Sequence, residues 1–375
     1  HLQRSGHISD AIGCAIALAD IRIAQGRLRE AISIYERGLH LATEQGDPAM
    51  RGTADKHVGM AELHRERNDL EAATQQLLRS KEQGEHTGFP HYRYRWRVAM
   101  ARIREAQGDL DGALGLLHEA EHLYVSDFHP DVRPIAALKA RIWVAQGRLG
   151  EALGWARERG LSAHDDPSYL REFEHVTLAR VLLARYKSKR EESPMLEAMS
   201  LLERLLQAAE ACGRMGSVIE ILVLQGLALE AQGDIPAALV PLERALALAE
   251  PEGYVRIFLD EGRPMAQLLS EAATRGIIPD YTGKLLAAFD AEGRIDPDDS
   301  PRLATLASQP LVEPLSDREL EVLRLIAQGL SNREISERLF LAVITVKGHN
   351  RNTFRKLQVR RRTEAVARAR ELGLL

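Results

Sequence analysis

Gly26-Arg-Leu28-Arg-Glu-Ala31, Gly108-Asp-Leu110-Asp-Gly-Ala113 and Gly147-Arg-Leu149-Gly-Glu-Ala152 are three copies of one pattern, and their spacing decides the fold. Degenerate copies keep the same order at Asn68-Leu70-Ala73 and Gly233-Ile235-Ala238, and a weaker one is centred on Leu196 and Met199, where the charged stretch Tyr186–Pro194 reads as an inter-helix loop. The first positions recur about every forty residues, a period in the range of helical-repeat arrays. Each copy reads as the turn between two helices. An apolar helix runs into Gly or Asn, residues that accept the left-handed conformation ending a helix. A second helix then starts, with a small Ala where two backbones must approach closely. Apolar residues recur at helical spacing on both sides, as in Ala17, Ile21, Ala24 and Leu28, or Leu222, Leu229 and Ala231. Each pair leaves an apolar face that only the next pair can cover, so the pairs stack into a superhelix.

Composition agrees. The 375 residues are 45% hydrophobic but only 5% aromatic, and good helix formers dominate over β-branched runs. An all-α chain of two or more domains is expected. Cys14 and Cys212 have no ligand-like neighbours and read as two buried thiols in a reducing cytosol. No apolar stretch approaches the roughly 20 residues of a membrane span, and no basic-then-apolar leader is present. A cytoplasmic protein without a membrane partner is expected. The chain opens at His1 inside a helical pattern, as a piece of a longer protein would.

The formal charge of −4 hides an asymmetry. Residues 315–375 hold 13 Lys/Arg against 7 Asp/Glu, which leaves residues 1–314 at −10. A small basic module on a large acidic body is the distribution expected when only the module meets nucleic acid.

The boundary between the two is legible. Asp296, Pro297, Asp298, Asp299, Ser300, Pro301, Pro310 and Pro314 punctuate a polar linker over 290–314, separating a repeat domain at 1–289 from a module at 315–375. Ser316-x-x-Glu319 is a capping box that opens a helix ending at Gly329. Ser331-x-x-Glu334 is a second box, with Leu330 placed as a hydrophobic staple, and its helix runs to about Leu339. A third helix is expected over about 343–357, with Val346, Phe354 and Leu357 inward, and a fourth from Thr363 to Leu372. Four short helices with a tight connection between the second and third form a helix-turn-helix unit. Lys347, Arg351 and Arg355 share one face of the third helix, and Lys356, Arg360, Arg361 and Arg362 extend the positive charge.

Leu315-Ser-Asp-Arg-Glu319-Leu-Glu-Val-Leu323, Gly329-Leu-Ser-Asn-Arg-Glu334-Ile335, Thr345-Val-Lys347-x-His349 and Lys356-Leu357-x-Val359 closely resemble the LuxR-type helix-turn-helix. The repeats resemble the tetratricopeptide repeat (TPR), whose later large and small positions are matched by Tyr35 and Gly38, Leu117 and Ala120, and Leu242 and Ala245. Together with Gly253-Tyr-Val-Arg-Ile-Phe-Leu-Asp260-Glu-Gly262, the chain resembles the large ATP-binding (MalT-like) regulators of the LuxR family over nearly its whole length. Such proteins carry an N-terminal ATPase module. No Gly-x-x-x-x-Gly-Lys-Ser/Thr loop occurs here, so no nucleotide cofactor is expected in this chain.

The resemblance implies a sequence-specific transcriptional regulator, an activator rather than a repressor, with double-stranded DNA, RNA polymerase and a second copy of the chain as partners. Carried over residue by residue, Lys347, Gly348 and Arg351 face base edges in the major groove, where a good contact discriminates by about 1–3 kcal/mol. Asn332, Thr345, Arg355, Lys356, Arg360 and Arg361 go to phosphates, which fix register. Three positions depart from the family pattern. Ala342 replaces a capping Ser or Thr, Ile344 stands where a polar residue is usual, and Gly348 offers a base no side chain. These departures sustain an alternative, a TPR-like interaction scaffold whose DNA-binding domain is weak or vestigial. His349 follows the family pattern and reads as a structural residue.

The concave face of the array suits a small-molecule inducer or a protein partner. Phe89-Pro-His91-Tyr92-Arg93-Tyr94-Arg95-Trp96-Arg97 is its most unusual stretch. Tyr92 and Trp96 share one helical face and Arg93 and Arg97 the adjacent one, a set that could hold an anionic, aromatic or sugar-like ligand. The plainer reading, rings in the core and arginines on acidic neighbours, is preferred. No metal-ligand spacing and no catalytic set is visible, so an enzyme is not expected.

Overall fold

The computed structural model describes residues 8–44, 51–84, 87–125, 131–293, 317–327 and 330–339, together with Leu341, Val346, Thr353, Lys356, Ala365 and Ala369. It divides into two compact units, His1–Arg294 and Ile295–Leu375. All regular structure among the described residues is helical.

The first unit is built from antiparallel helix pairs in the order the repeats set. They are α1 (Ile8–Ala24) with α2 (Leu28–Glu44), α3 (Thr53–Glu66) with α4 (Leu70–Gln83), and α5 (Tyr92–Ala106) with α6 (Leu110–His122). Then come α7 (Ile135–Ala145) with α8 (Leu149–Glu158), α9 (Glu172–Lys189) with α10 (Glu192–Ala211), and α11 (Met215–Gln232) with α12 (Ile235–Ala249). At the turns, Gly26, Asn68, Gly108, Gly147 and Gly233 all have φ between 64° and 87°, the left-handed geometry that selects these residue types. The Ala that follows each of them (Ala31, Ala73, Ala113, Ala152, Ala238) is fully buried. Tyr35, Leu117 and Leu242 are buried too, and a side chain at Gly38 would lie 2.4 Å from Lys56 Cε.

Three turns carry a device beyond the Gly and the Ala. Asp69, Asp109 and Asp234 each cap the second helix, accepting from the backbone N–H of Ala72, Gly112 and Ala237 at 2.9–3.0 Å. Arg27 and Arg148 stand in the same place in two other turns and pair with Glu30 and Glu151 one turn on.

The fifth pair departs from expectation. The charged stretch from Tyr186 to Pro194 is not a loop, because α9 continues to Lys189 and α10 begins at Glu192, with only Arg190 and Glu191 between them. Arg190 adopts the left-handed turn itself, with φ 57°. Pro194 lies in the first turn of α10, where its missing N–H has no helical partner to lose. The buried stripe of α10 begins with Pro194, Met195 and Ala198, so Met195 and Ala198 stand one residue ahead of the Leu196 and Met199 expected. Leu196 is exposed.

First and second helices of the pairs differ in burial. Burial is nearly continuous along α3 from Thr53 to Ala61 and along α11 from Val218 to Ala228, whereas α4 and α12 bury one stripe. A helix buried all round lies between layers, and one with a stripe lies outside. By length and composition α11 could cross a membrane, contrary to the expectation that no stretch comes close, but it is packed inside the array. Cys14 and Cys212 are both exposed, not buried as expected: Cys14 lies within α1, and Cys212 is the C-terminal cap of α10.

The array curls far enough for its ends to meet. The end of α1 packs on the start of α11, with Gly26 against Met215 and Gly216 against the Ile23 carbonyl. The segment after α12 then returns to the first repeats. Glu252 accepts from the Arg29 backbone N–H at 2.9 Å, and the Val255 N–H donates to the Glu66 carbonyl at 3.0 Å. This strap holds the short helix α13 (Arg256–Leu259), followed by α14 (Arg263–Thr274) and α15 (Pro279–Ala291). Phe258 is fully buried, edge-on to Tyr281, whose hydroxyl donates to the Tyr254 carbonyl.

In the second unit, α16 (Asp317–Ala327) and α17 (Asn332–Leu339) pack together. Val322, Leu325, Ile326, Ile335 and Val346 form their core, with Leu330 and Leu339 against it. The second capping box forms in both directions, Ser331 N to Glu334 Oε2 at 2.6 Å and Glu334 N to Ser331 Oγ at 3.4 Å. Ser316 of the first box lies outside the described residues.

Candidate DNA-reading domain and the cavity of the repeat array

Of the residues expected at DNA, Asn332 and Lys356 are described. Asn332 is the first residue of α17, and Lys356 is in helical backbone, both half-buried. Val346 and Thr353 are likewise helical, and both are fully buried. Ala365 and Ala369, in the region expected as a fourth helix, are helical and buried as well. Lys347, Gly348, Arg351, Thr345, Arg355, Arg360 and Arg361 lie outside the described residues, as do Ala342, Ile344 and His349.

The first unit encloses a cavity of about 1600 Å³. Its wall comes mainly from the first helix of each pair (α1, α3, α5, α7, α9 and α11), from the connections leading into them and from the strap. The second helices contribute little beyond Leu28, Leu117 and Leu149. The aromatic stretch is divided accordingly. Tyr94 and Arg95 line the cavity, whereas Tyr92 and Trp96 belong to the packing between α3, α4 and α5. Tyr92 meets Ser80 at 3.1 Å, and the Trp96 ring N–H donates to the Leu77 carbonyl at 3.0 Å. Arg97 pairs with Glu119 at 3.0 Å, and Arg93 is exposed. The structure therefore brings Tyr92 and Trp96 together, but away from the cavity.

Charged groups in and behind the wall fall into two clusters. The first fixes the strap. Arg256 is fully buried and donates to Asp260 at 2.6 Å, to Asn68 Oδ1 at 3.0 Å and to Glu292 at 2.5 Å. Arg65 binds Asp260 from α3, and Glu66 accepts from the Ile257 N–H at 2.9 Å. Burial alone would raise the Asp260 carboxyl, but Arg65 and Arg256 overcome it and hold the group below its ordinary value. Burial wins at Glu66 and at Glu105, both raised, with Asp260 adding to the shift at Glu105.

The second cluster crosses from α7 through α9 to α11. Arg141 and Arg180 both reach Glu220 Oε1, at 2.7 and 2.8 Å, and Arg180 also reaches Glu261 at 2.6 Å. Arg141 donates to Thr177 Oγ1 at 2.9 Å and lies 3.8 Å from the centre of the Phe173 ring. Against its burial, the two guanidinium groups pull Glu220 down to about 2. Sequence reasoning missed both clusters, because their members are spread from residue 65 to 292 and no spacing links them. The one local signal was Arg256 and Asp260 within the 253–262 motif.

With this geometry in place, the comparisons with known proteins are specific. Residues 1–275 match the family described as the MalT-like TPR region. The chain belongs to that family. Residues 313–369 match the bacterial regulatory proteins of the luxR family, so the MalT-like array is followed by a LuxR-type DNA-binding domain. Among curated relatives, the HTH-type transcriptional regulators MalT of Klebsiella pneumoniae subsp. pneumoniae and of Klebsiella pneumoniae strain 342 are each 26% identical over 96% of the chain. The chain spans 41% of the length of these relatives.

Proposed function

We propose that this MalT-like, LuxR-type chain is the sensing and DNA-reading machinery of an inducible transcriptional activator in the cytoplasm. The array receives a signal in its cavity, and the C-terminal domain binds promoter DNA as a symmetric pair and contacts RNA polymerase. The observation that carries this reading is the succession of a cavity-bearing MalT-like array and a luxR-family domain within one chain. Lys347, Gly348 and Arg351 read bases, and Asn332, Thr345, Arg355, Lys356, Arg360 and Arg361 hold phosphates. Dimers of helix-turn-helix domains place two reading helices one DNA turn apart, so the preferred site is an inverted repeat.

Enrichment of random duplexes on the whole chain tests the assignment. The expected outcome is a defined inverted motif, relaxed at specific positions by Lys347→Ala and by Arg351→Ala. An unenriched pool at low salt would favour the scaffold reading, in which the array is the functional part.

A further inference from the structure

The two charged clusters differ in how their charges are matched, and that difference points to a ligand. Arg133 lies just before α7 and lines the cavity beside Arg141. Its guanidinium is 5.8 Å from the centre of the same Phe173 ring that Arg141 covers at 3.8 Å. Arg133 is exposed, and among the described residues no carboxylate lies within ion-pairing distance of it. Asp131, two residues away, takes the Arg133 backbone N–H instead of the guanidinium. Arg141 carries a buried nitrogen, Nη2, with no hydrogen-bond partner among the described residues, and shares Glu220 with Arg180. Three guanidinium groups therefore face two carboxylates, Glu220 and Glu261, in a partly desolvated wall.

We propose that the cavity binds an oxyanion of a small organic molecule, a carboxylate or a phosphate monoester, at Arg133 and Arg141 over Phe173. This rests on the reading of the array as a sensor. A guanidinium presents a planar fork of donors that matches a carboxylate or phosphate edge, and such charge-assisted bonds are strengthened away from bulk water. The ring beneath the two forks holds them by cation–π attraction. The state of the arginines agrees. Burial, then the fields of Arg180 and Arg133, bring Arg141 down to about 10 although Glu220 opposes them. A bound anion removes that surplus of positive charge.

Isothermal titration of the whole chain at constant ionic strength tests this, with inorganic phosphate, glucose 6-phosphate, gluconate and uncharged glucose as probes. The expected result is saturable binding of the charged probes and none of glucose. Arg133→Ala should weaken binding about tenfold, and Arg133→Lys, which keeps the charge but not the fork, should recover only a part of it. Preference for glucose 6-phosphate over gluconate would name a phosphate ligand, and the reverse a carboxylate. No saturable oxyanion binding, or equal binding to wild type and Arg133→Ala, overturns the proposal. Glucose binding equally to both proteins would also overturn it while leaving the array a sensor. Oxyanion binding that leaves affinity for the enriched duplex unchanged would uphold the site and sink the sensor reading instead.

Discussion

The strap cluster and the Phe173 cluster use the same chemistry to opposite ends. Around Arg256, three guanidinium groups (Arg65, Arg102 and Arg256) meet three carboxylates (Glu66, Asp260 and Glu292), and Glu66 also accepts from the Ile257 backbone N–H. Around Phe173, three guanidinium groups meet two carboxylates, and one of the three remains exposed to the cavity. Burial raises Glu66 against the pull of Arg65 and Arg102, whereas at Arg141 burial is reinforced by the fields of Arg180 and Arg133. A buried charge left without its partner costs far more than the pair contributes, so fully matched clusters are read as structural. An exposed, unmatched cation in a cavity is read as a place for something else.

The largest effect expected from this contrast is at Arg256. Arg256→Ala leaves Asp260 and Glu292 short of their buried partner and should cost about 3–5 kcal/mol of array stability, read by denaturant unfolding. A loss below about 1 kcal/mol would show that the strap does not close the array. Next comes acid. Folding lowers the pKa of Glu220 from 4.5 to about 2, so the stability it contributes is complete above pH 4.5 and is lost as pH falls from there through about 2. By linkage that loss is about 3 kcal/mol, offset in part by the raised Glu66 and Glu105, which protonate more readily in the folded state. Glu220→Gln should flatten the decline over that window, and an unchanged slope would remove Glu220 from the account. The smallest effect is at Arg133. Arg133→Ala should shift stability by no more than about 0.5 kcal/mol, as surface changes away from matched clusters do. A larger cost would make Arg133 structural and erase the contrast.

Much of this fold was legible in the sequence because its signals are local. Gly26, Gly108 and Gly147 mark turns through a backbone geometry that few other residues accept, and Ala31, Ala113 and Ala152 mark close approach five residues later. Ser331 and Glu334 announced a capping box that forms as written. The fifth pair was misplaced because a charged stretch with a proline resembles a loop, yet Pro194 in a first helical turn breaks nothing. The Asp of Asp69, Asp109 and Asp234, one residue after the turn, was a capping signal available in the sequence and not used. The cavity was not legible at all. Which face of α5 turns inward depends on how far each pair rotates against the next, so Tyr92 and Trp96 could not be told from Tyr94 and Arg95. The partners of Arg65 and Arg256 come from elements brought together only when the array curls.

The central claim is that the basic C-terminal domain reads sequence and does not merely attract phosphates. Affinity for the enriched duplex and for a scrambled one, measured against salt concentration, tests it most directly. Both should weaken steeply as salt rises, since neutralised phosphates release counterions. The account predicts that the enriched duplex keeps its advantage across the range, and that Lys347→Ala and Arg351→Ala abolish the advantage while leaving the salt slope nearly intact. Equal affinity for the two duplexes at every salt concentration, unchanged by either substitution, would contradict it.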